Sequence, residues 1–93
     1  MMLDLAYTSR FKKDVKAKRK QGADLSKLDA AISSLRSGEA LPESMRDHVL
    51  SGVYRGHREC HIEPDWLLIY RIDRNALVLT AVRTGSHSDL FNM

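Results

Sequence analysis

The side chains in this sequence most able to do chemistry are its four histidines, His48, His57, His61 and His87. Imidazole is the one side chain whose unperturbed pKa lies near neutrality, so it can serve as acid or as base. In an extended segment, alternation puts His57, Glu59 and His61 on one face and Arg58, Cys60 and Ile62 on the other. That ionisable face either keeps a sheet soluble or forms a site. Asp65 follows Pro64 in a tight turn, where aspartate often serves only to satisfy backbone donors. The same turn holds Asp65 a few residues from His61, so both can face one cleft beside a rigid strand starting at Trp66. Near the end of the chain, Arg83 can grip a phosphate bidentately, His87 can donate a proton, and Phe91 can stack on a base. Each also has a plain structural alternative: a surface ion pair, a solvated histidine, a core plug. A metal site from His61, Asp65 and another histidine lacks HxH or HExxH spacing, so neither metal nor cofactor is expected. Cys60 falls on the apolar face and reads as a packing residue.

The scaffold for these groups can be read from hydrophobic periodicity. Leu3, Leu5 and Tyr7 alternate with Asp4 and Ala6 as a short strand. Thr8 or Ser9 then caps a helix that turns Phe11, Val15 and the stem of Lys18 inward and leaves its cations outside. Gly22 ends it, Asp24 caps a second helix, and Leu25, Leu28, Ile32 and Leu35 form that helix's stripe as far as Gly38. From Glu39 to Gly52 the periodicity lapses, so this stretch, which carries His48, is expected to be a loop with at most a helical turn. Arg58 to Ile62 reads as a strand, Glu63-Pro64-Asp65 as a turn, and Trp66 to Tyr70 as an apolar strand. A reversal at Arg74-Asn75 precedes a third strand, Leu77 to Val82. Leu90-Phe91 closes the chain in a helical turn. The expected fold is α+β: an N-terminal strand and two helices followed by an antiparallel β-meander and a short C-terminal helical turn, as a single domain over residues 1–93.

Bulk properties narrow the partners. A hydrophobic fraction of 43% and a charged fraction of 29% exclude a disordered or fibrous chain. The net charge of +3 is unevenly placed: Arg10, Lys12, Lys13, Lys16, Lys18, Arg19 and Lys20 crowd one helix. Its face either is merely solvated or meets phosphates or an acidic protein segment. One cysteine and no basic-then-apolar leader suggest a reducing, cytoplasmic setting, and no stretch nears the roughly 20 apolar residues of a membrane span.

Arg58-Glu59-Cys60-His61-Ile62-Glu63-Pro64-Asp65-Trp66-Leu67-Leu68-Ile69-Tyr70, with Arg83-Thr84-Gly85-Ser86-His87, resembles the YafQ branch of the RelE/ParE toxin superfamily. The likeness extends from Tyr7-Thr8-Ser9-Arg10-Phe11-Lys12-Lys13-Asp14 through Asp47-His48 to Leu90-Phe91. It implies a RelE-like fold and a toxin of a type II toxin–antitoxin pair that cuts mRNA in the ribosomal A site. The implied partners are the ribosome, mRNA and a cognate antitoxin held in a hetero-oligomer; the basic helix suggests that the antitoxin is acidic or acid-patched. By resemblance the catalytic positions are His48, His61, Asp65 and His87, while Arg83 and Phe91 match RNA-contacting positions. The cationic Lys12, Lys13 and Lys16 join them as candidate phosphate contacts. Glu59 stands where a related toxin has aspartate, and His57 matches no catalytic position. Metal-free cleavage through the RNA's own 2′-hydroxyl needs a base, charge stabilisation and an acid. His87 is the expected acid; the base stays open among His48, His61 and Asp65. Two alternatives are a ParE-like toxin that binds DNA gyrase without cleaving nucleic acid and a noncatalytic RNA-binding module. The four ionisable groups favour the enzyme.

Overall fold

The computed structural model describes residues 2–91. Strand β1 (Asp4–Tyr7) leads into helix α1 (Ser9–Lys20) through Thr8. The Thr8 hydroxyl accepts from Phe11 N at 2.9 Å and donates to the Val82 carbonyl at 2.6 Å, so one residue both caps the helix and ties it to the sheet. Asp24 caps α2 (Leu25–Arg36) by accepting from Ser26 N at 3.1 Å. The second helix ends at a left-handed Gly38 with φ of 77°, a conformation glycine adopts without steric cost.

Beyond two single 3₁₀ turns and β2 (His48–Val49), the chain forms β3 (Arg58–Glu63), β4 (Trp66–Asp73), β5 (Val78–Gly85) and the short helix α3 (His87–Phe91). The sheet order is β1-β5-β4-β3-β2, with β1 parallel to β5 and the other pairs antiparallel. The two helices make the crossover that a parallel β1–β5 pairing needs. They cover one face, where Phe11, Leu28, Ile32 and Leu35 meet Cys60, Trp66, Leu68, Tyr70 and Leu79. On the other face Leu67, Ile69 and Leu90 pack with Leu50, Tyr54, Val82 and Phe91. Strand β4 is therefore covered on both sides, which is why Trp66 to Tyr70 reads as an unbroken apolar run. Truncating Leu68 to alanine beneath the helices would cost about 2–5 kcal/mol.

Two expectations change in detail. The segment carrying His48 is not all loop: His48 pairs with Glu59 and Val49 with Arg58 in the sheet. A two-residue strand has no periodicity of its own and is defined only by the edge it joins. The last strand is displaced from Leu77–Val82 to Val78–Gly85, because Leu77 sits left-handed in the preceding turn, with φ of 57°. Asp73 Oδ1 accepts from Asn75 N and Ala76 N there, at 2.9 and 3.0 Å. Arg83 consequently lies within a strand rather than after it.

Candidate active site

Glu59 and His61 leave β3 on the face away from the helices, opposite Ile69 and Leu67. The shared face matches the alternation, but it is no solvated surface: Glu59 is only 4% exposed. Its Oε1 lies 3.6 Å from His48 Nε2 and 3.7 Å from His61 Nε2, too long for hydrogen bonds but close enough to attract either ring when it carries a second proton. Its Oε2 has no hydrogen-bond partner. A buried carboxylate oxygen without a partner is costly, so Glu59 brings unsatisfied accepting capacity to a point between two imidazoles.

The other half of the site lies at the β3–β4 turn. Asp65 Oδ1 accepts from the His87 backbone N at 2.9 Å and from His87 Nδ1 at 2.6 Å. These bonds, backbone first, hold the Asp65 carboxyl below the ordinary carboxylate range. The Asp65 side chain is 68% exposed, so solvent screens the pair and its value lies in orientation rather than stability. With Nδ1 donating to Asp65, the imidazole presents Nε2 outward, and its ring centroid is 5.6 Å from that of His61. The turn is pinned from beneath: Trp66 Nε1 donates to Thr84 Oγ1 at 2.9 Å, which donates to Leu67 O at 2.6 Å. Lys18 adds its ammonium 5.4 Å from the Trp66 ring centroid, where cation and ring quadrupole attract.

His48 is fixed differently. Its Nδ1 is 2.6 Å from the Arg46 carbonyl, and a carbonyl can only accept, so Nδ1 carries the proton and Nε2 keeps the lone pair in the neutral ring. Arg46 turns that carbonyl inward by adopting left-handed φ 49° and ψ 43°, a strained state for a residue with a Cβ, costing about 1–3 kcal/mol. The next residue is clamped from the opposite face of the sheet. Asp47 Oδ1 accepts from the Tyr70 hydroxyl at 2.5 Å and from Arg58 Nε at 3.3 Å.

The remaining candidates stand around this cluster. Arg83 is engaged by Asp14 through Nε at 2.7 Å and Nη2 at 3.1 Å, and Asp14 Oδ2 also accepts from Thr84 N at 3.1 Å. This mostly buried pair ties α1 to β5 and leaves Nη1 as the guanidinium nitrogen not used by Asp14. Phe91 packs edge-on against Tyr54 with centroids 5.9 Å apart. Lys12, Lys13 and Lys16 are exposed on α1. His57 stays outside the cluster, its Nδ1 near the Tyr54 and Arg55 carbonyls. Cys60 is fully buried and its thiol is pushed up to about 12 by burial, which suits packing and not nucleophilic attack. Among the described residues, no group of three or more His, Cys, Asp or Glu is arranged to hold a metal ion.

The fold thus gathers His48, His61, Asp65 and His87. Reading the sequence missed the burial of Glu59, the Asp47–Tyr70–Arg58 clamp and the capture of Arg83 by Asp14. The position of Asp47 next to His48 was the only local hint of the clamp, since its partners lie 11 and 23 residues away.

Residues 3–92 match the model of a family described as bacterial toxin of type II toxin–antitoxin system, YafQ. The mRNA interferase toxin YafQ of Escherichia coli K12 is 38% identical over 89 residues, 95% of each chain. Among solved structures, the DinJ–YafQ toxin–antitoxin complex of E. coli superimposes with a TM-score of 0.88 at 37% identity, covering 98% of this chain and 99% of that one. A metal-bound toxin from Helicobacter pylori gives 0.92 at 40% identity, covering 97% and 100%.

Proposed function

This chain belongs to the YafQ family of bacterial toxins from type II toxin–antitoxin systems, and we propose from that membership and from its histidine cluster that it is an mRNA interferase. The observation that carries the chemistry is the double hydrogen bond from His87 to Asp65 Oδ1. It orients one imidazole with Nε2 outward as a proton donor, a second, His61, lies beside it, and a third, His48, completes the constellation. A gyrase-directed binder or a passive RNA module leaves this arrangement without a role.

In the reaction, His48 Nε2 takes the proton from a ribose 2′-hydroxyl. The 2′-oxygen attacks the adjacent phosphorus, the bond to the 5′-oxygen breaks, and protonated His87 gives that oxygen its proton from Nε2. The products are a 2′,3′-cyclic phosphate and a 5′-hydroxyl. Asp65 keeps the His87 imidazolium aligned, as the carboxylate of a catalytic triad does. Its Oδ1 is committed to orienting His87, and the base is assigned to His48. Glu59 balances the charge that appears on His48 as it takes the proton, and His61 lies between the two reacting histidines as a donor to the phosphorane. Arg83 Nη1 adds positive charge for the same oxygens, and the open part of the Phe91 ring stacks on a base. Acid–base steps of this kind contribute about 10²–10⁴-fold each. One relative carries a metal; here the assignment rests on imidazoles alone.

The working partners are the ribosome with mRNA in its A site, approached through Lys12, Lys13 and Lys16, and a cognate antitoxin that forms a hetero-oligomer with the toxin. All 93 residues act as one domain, in the cytoplasm where ribosomes are. The test is cleavage of ribosome-bound mRNA with end-group analysis in excess EDTA. Cyclic or 3′-phosphate ends are expected, and they should vanish in folded His87→Ala and His61→Ala proteins together with growth arrest. A 3′-hydroxyl end, an absolute need for added metal, or full toxicity of both variants overturns the proposal.

A further inference from the structure

The chain's cations are sorted by type. Five of its six lysines lie on α1, whereas from residue 39 onward every cation other than histidine is arginine. Of these arginines, Arg83 is held by Asp14. Three others, Arg58, Arg71 and Arg74, line a single groove of about 330 Å³ together with His57, over a floor that includes Val49 and Ile72. Arg71 and Arg74 are exposed and have no hydrogen-bond or ion-pair partner among the described residues. Arg58 uses only Nε, on Asp47. No carboxylate lines the groove. Of the acids near these arginines, Asp47 is engaged by Tyr70 and Arg58, Asp73 by the Asn75 and Ala76 amides, and Glu59 is buried beside His48 and His61, outside the groove.

Guanidinium groups sharing one concavity repel each other; Asp47 offsets the charge of Arg58, but among the described residues no carboxylate is paired with Arg71 or Arg74. An external anion would remove the repulsion, and the residue type indicates which kind. Arginine's planar fork matches phosphate bidentately, while lysine supplies a point charge. The groove meets the chemistry through Arg71, which leaves β4 on the same face as Ile69, the partner of Glu59, two residues farther along; Arg58, an odd number of residues from His61, points to the helix side and closes the groove at the strand ends. At 3.3 Å per residue Arg71 is about 7 Å beyond Glu59, roughly two nucleotides of a stacked strand at 3.4 Å each.

We infer that Arg58, Arg71 and Arg74 form a phosphate-binding groove for the single-stranded RNA substrate a few nucleotides from the scissile bond. Lysines on α1 supply the long-range field and these arginines set the strand's register. The inference rests on the RNA-cleaving reading above. Arg58 also braces the His48 loop, so the test uses the two exposed arginines.

The probe is a fluorescent 12-nucleotide RNA carrying 2′-O-methyl groups, which cannot be cut, and binding is followed by anisotropy across a salt series. Arg71→Ala/Arg74→Ala should weaken binding about tenfold and flatten the slope of log K against log salt by about 1.4, at 0.7 per lost phosphate contact on a single strand. Arg71→Lys/Arg74→Lys should restore the slope but not the full affinity, since charge returns without the fork. Wild-type affinity and slope in the alanine double variant overturn the groove. So does unchanged oligonucleotide binding with weakened binding of 30S subunits or of antitoxin, which would give the arginines to those partners instead. Cleavage of unmodified RNA by the wild-type chain is scored separately. Its absence sinks the enzyme reading, while the binding arm still decides the groove.

Discussion

Tyr70→Phe removes one oxygen, some distance from any reacting atom, and should still slow catalysis. The Tyr70 ring is 1% exposed on the helix side of β4, and its hydroxyl reaches Asp47 at 2.5 Å. Hydrogen bonds to charged groups contribute about 1.5–3 kcal/mol. The Asp47 side chain is 27% exposed, so water can take over part of the bond and the lower end, about 1.5 kcal/mol, applies. For a domain of this size that is a fall in Tm of about 6–12 °C. Burial, helped by the bond to Asp47, pushes the Tyr70 hydroxyl above its ordinary value. A raised folded pKa means the stabilisation is fully present below pH about 10 and is lost only as pH rises through the higher folded value. The Tm difference between variant and wild type should therefore stay constant from pH 7 to about 10. In catalysis, Asp47 would retain only its 3.3 Å contact with Arg58 and His48 would lose its brace. Misplacement by about 1 Å can cost on the order of 100-fold; with the strand pairing to Glu59 intact, about tenfold in kcat with KM unchanged is expected. Single-turnover cleavage at 20 °C, well below the lowered Tm, measures this. A reduced Tm with wild-type kcat would refute the argument, because the clamp would then hold the fold and not the base.

Two further outcomes follow from the site and its surroundings. Asp65→Asn should slow cleavage, and because the Asp65 carboxyl is depressed by its bonds from His87, its stabilisation is present above the ordinary carboxylate value and lost as pH falls through the lower folded one. The Tm gap to wild type, small because solvent screens the pair, should accordingly close below pH about 4; a cleavage rate equal to wild type contradicts the pairing. Reversing Lys12, Lys13 and Lys16 to glutamate should weaken both ribosome and antitoxin association and flatten their salt dependence, whereas wild-type toxicity, binding and salt slope would reduce the helix to a solvated face.

Much of this architecture was legible because its determinants are local. Thr8 and Asp24 announce their helices, and the stripe Leu28, Ile32, Leu35 is buried as its spacing requires. The period of two along Arg58 to Glu63 correctly puts Glu59 and His61 on one face. What alternation cannot show is what covers that face. Tyr54, Leu50 and α3 fold over it, turning a polar strand face into a place where a carboxylate is buried. The role of Arg83 was illegible for the same reason, since Asp14 is 69 residues away and nothing local distinguishes it from any other helix aspartate. The short β2 owes its existence to the edge of β3, and the left-handed Arg46 that precedes it carries no glycine or asparagine to betray it.

The distribution of rigidity explains how so small a chain can hold a strained site. The costs are concentrated in one place: a left-handed arginine, an unpartnered oxygen on Glu59, and a crowd of imidazoles. All lie on or beside β3, next to a β4 whose residues Trp66 to Tyr70 are each at most 2% exposed. A fully covered central strand contributes about 1.5–3 kcal/mol for each large apolar side chain, enough for one strand to offset the local strain of the next. The same strand carries both anchors of the site, Trp66 at the Asp65 turn and Tyr70 at the His48 loop, at opposite ends of its buried run. Acid and base are thus held to a common ruler five residues long. A change that shifts the β3–β4 register, even by conservative repacking of Leu67 or Leu68, would separate the two halves of the site before it unfolded the protein.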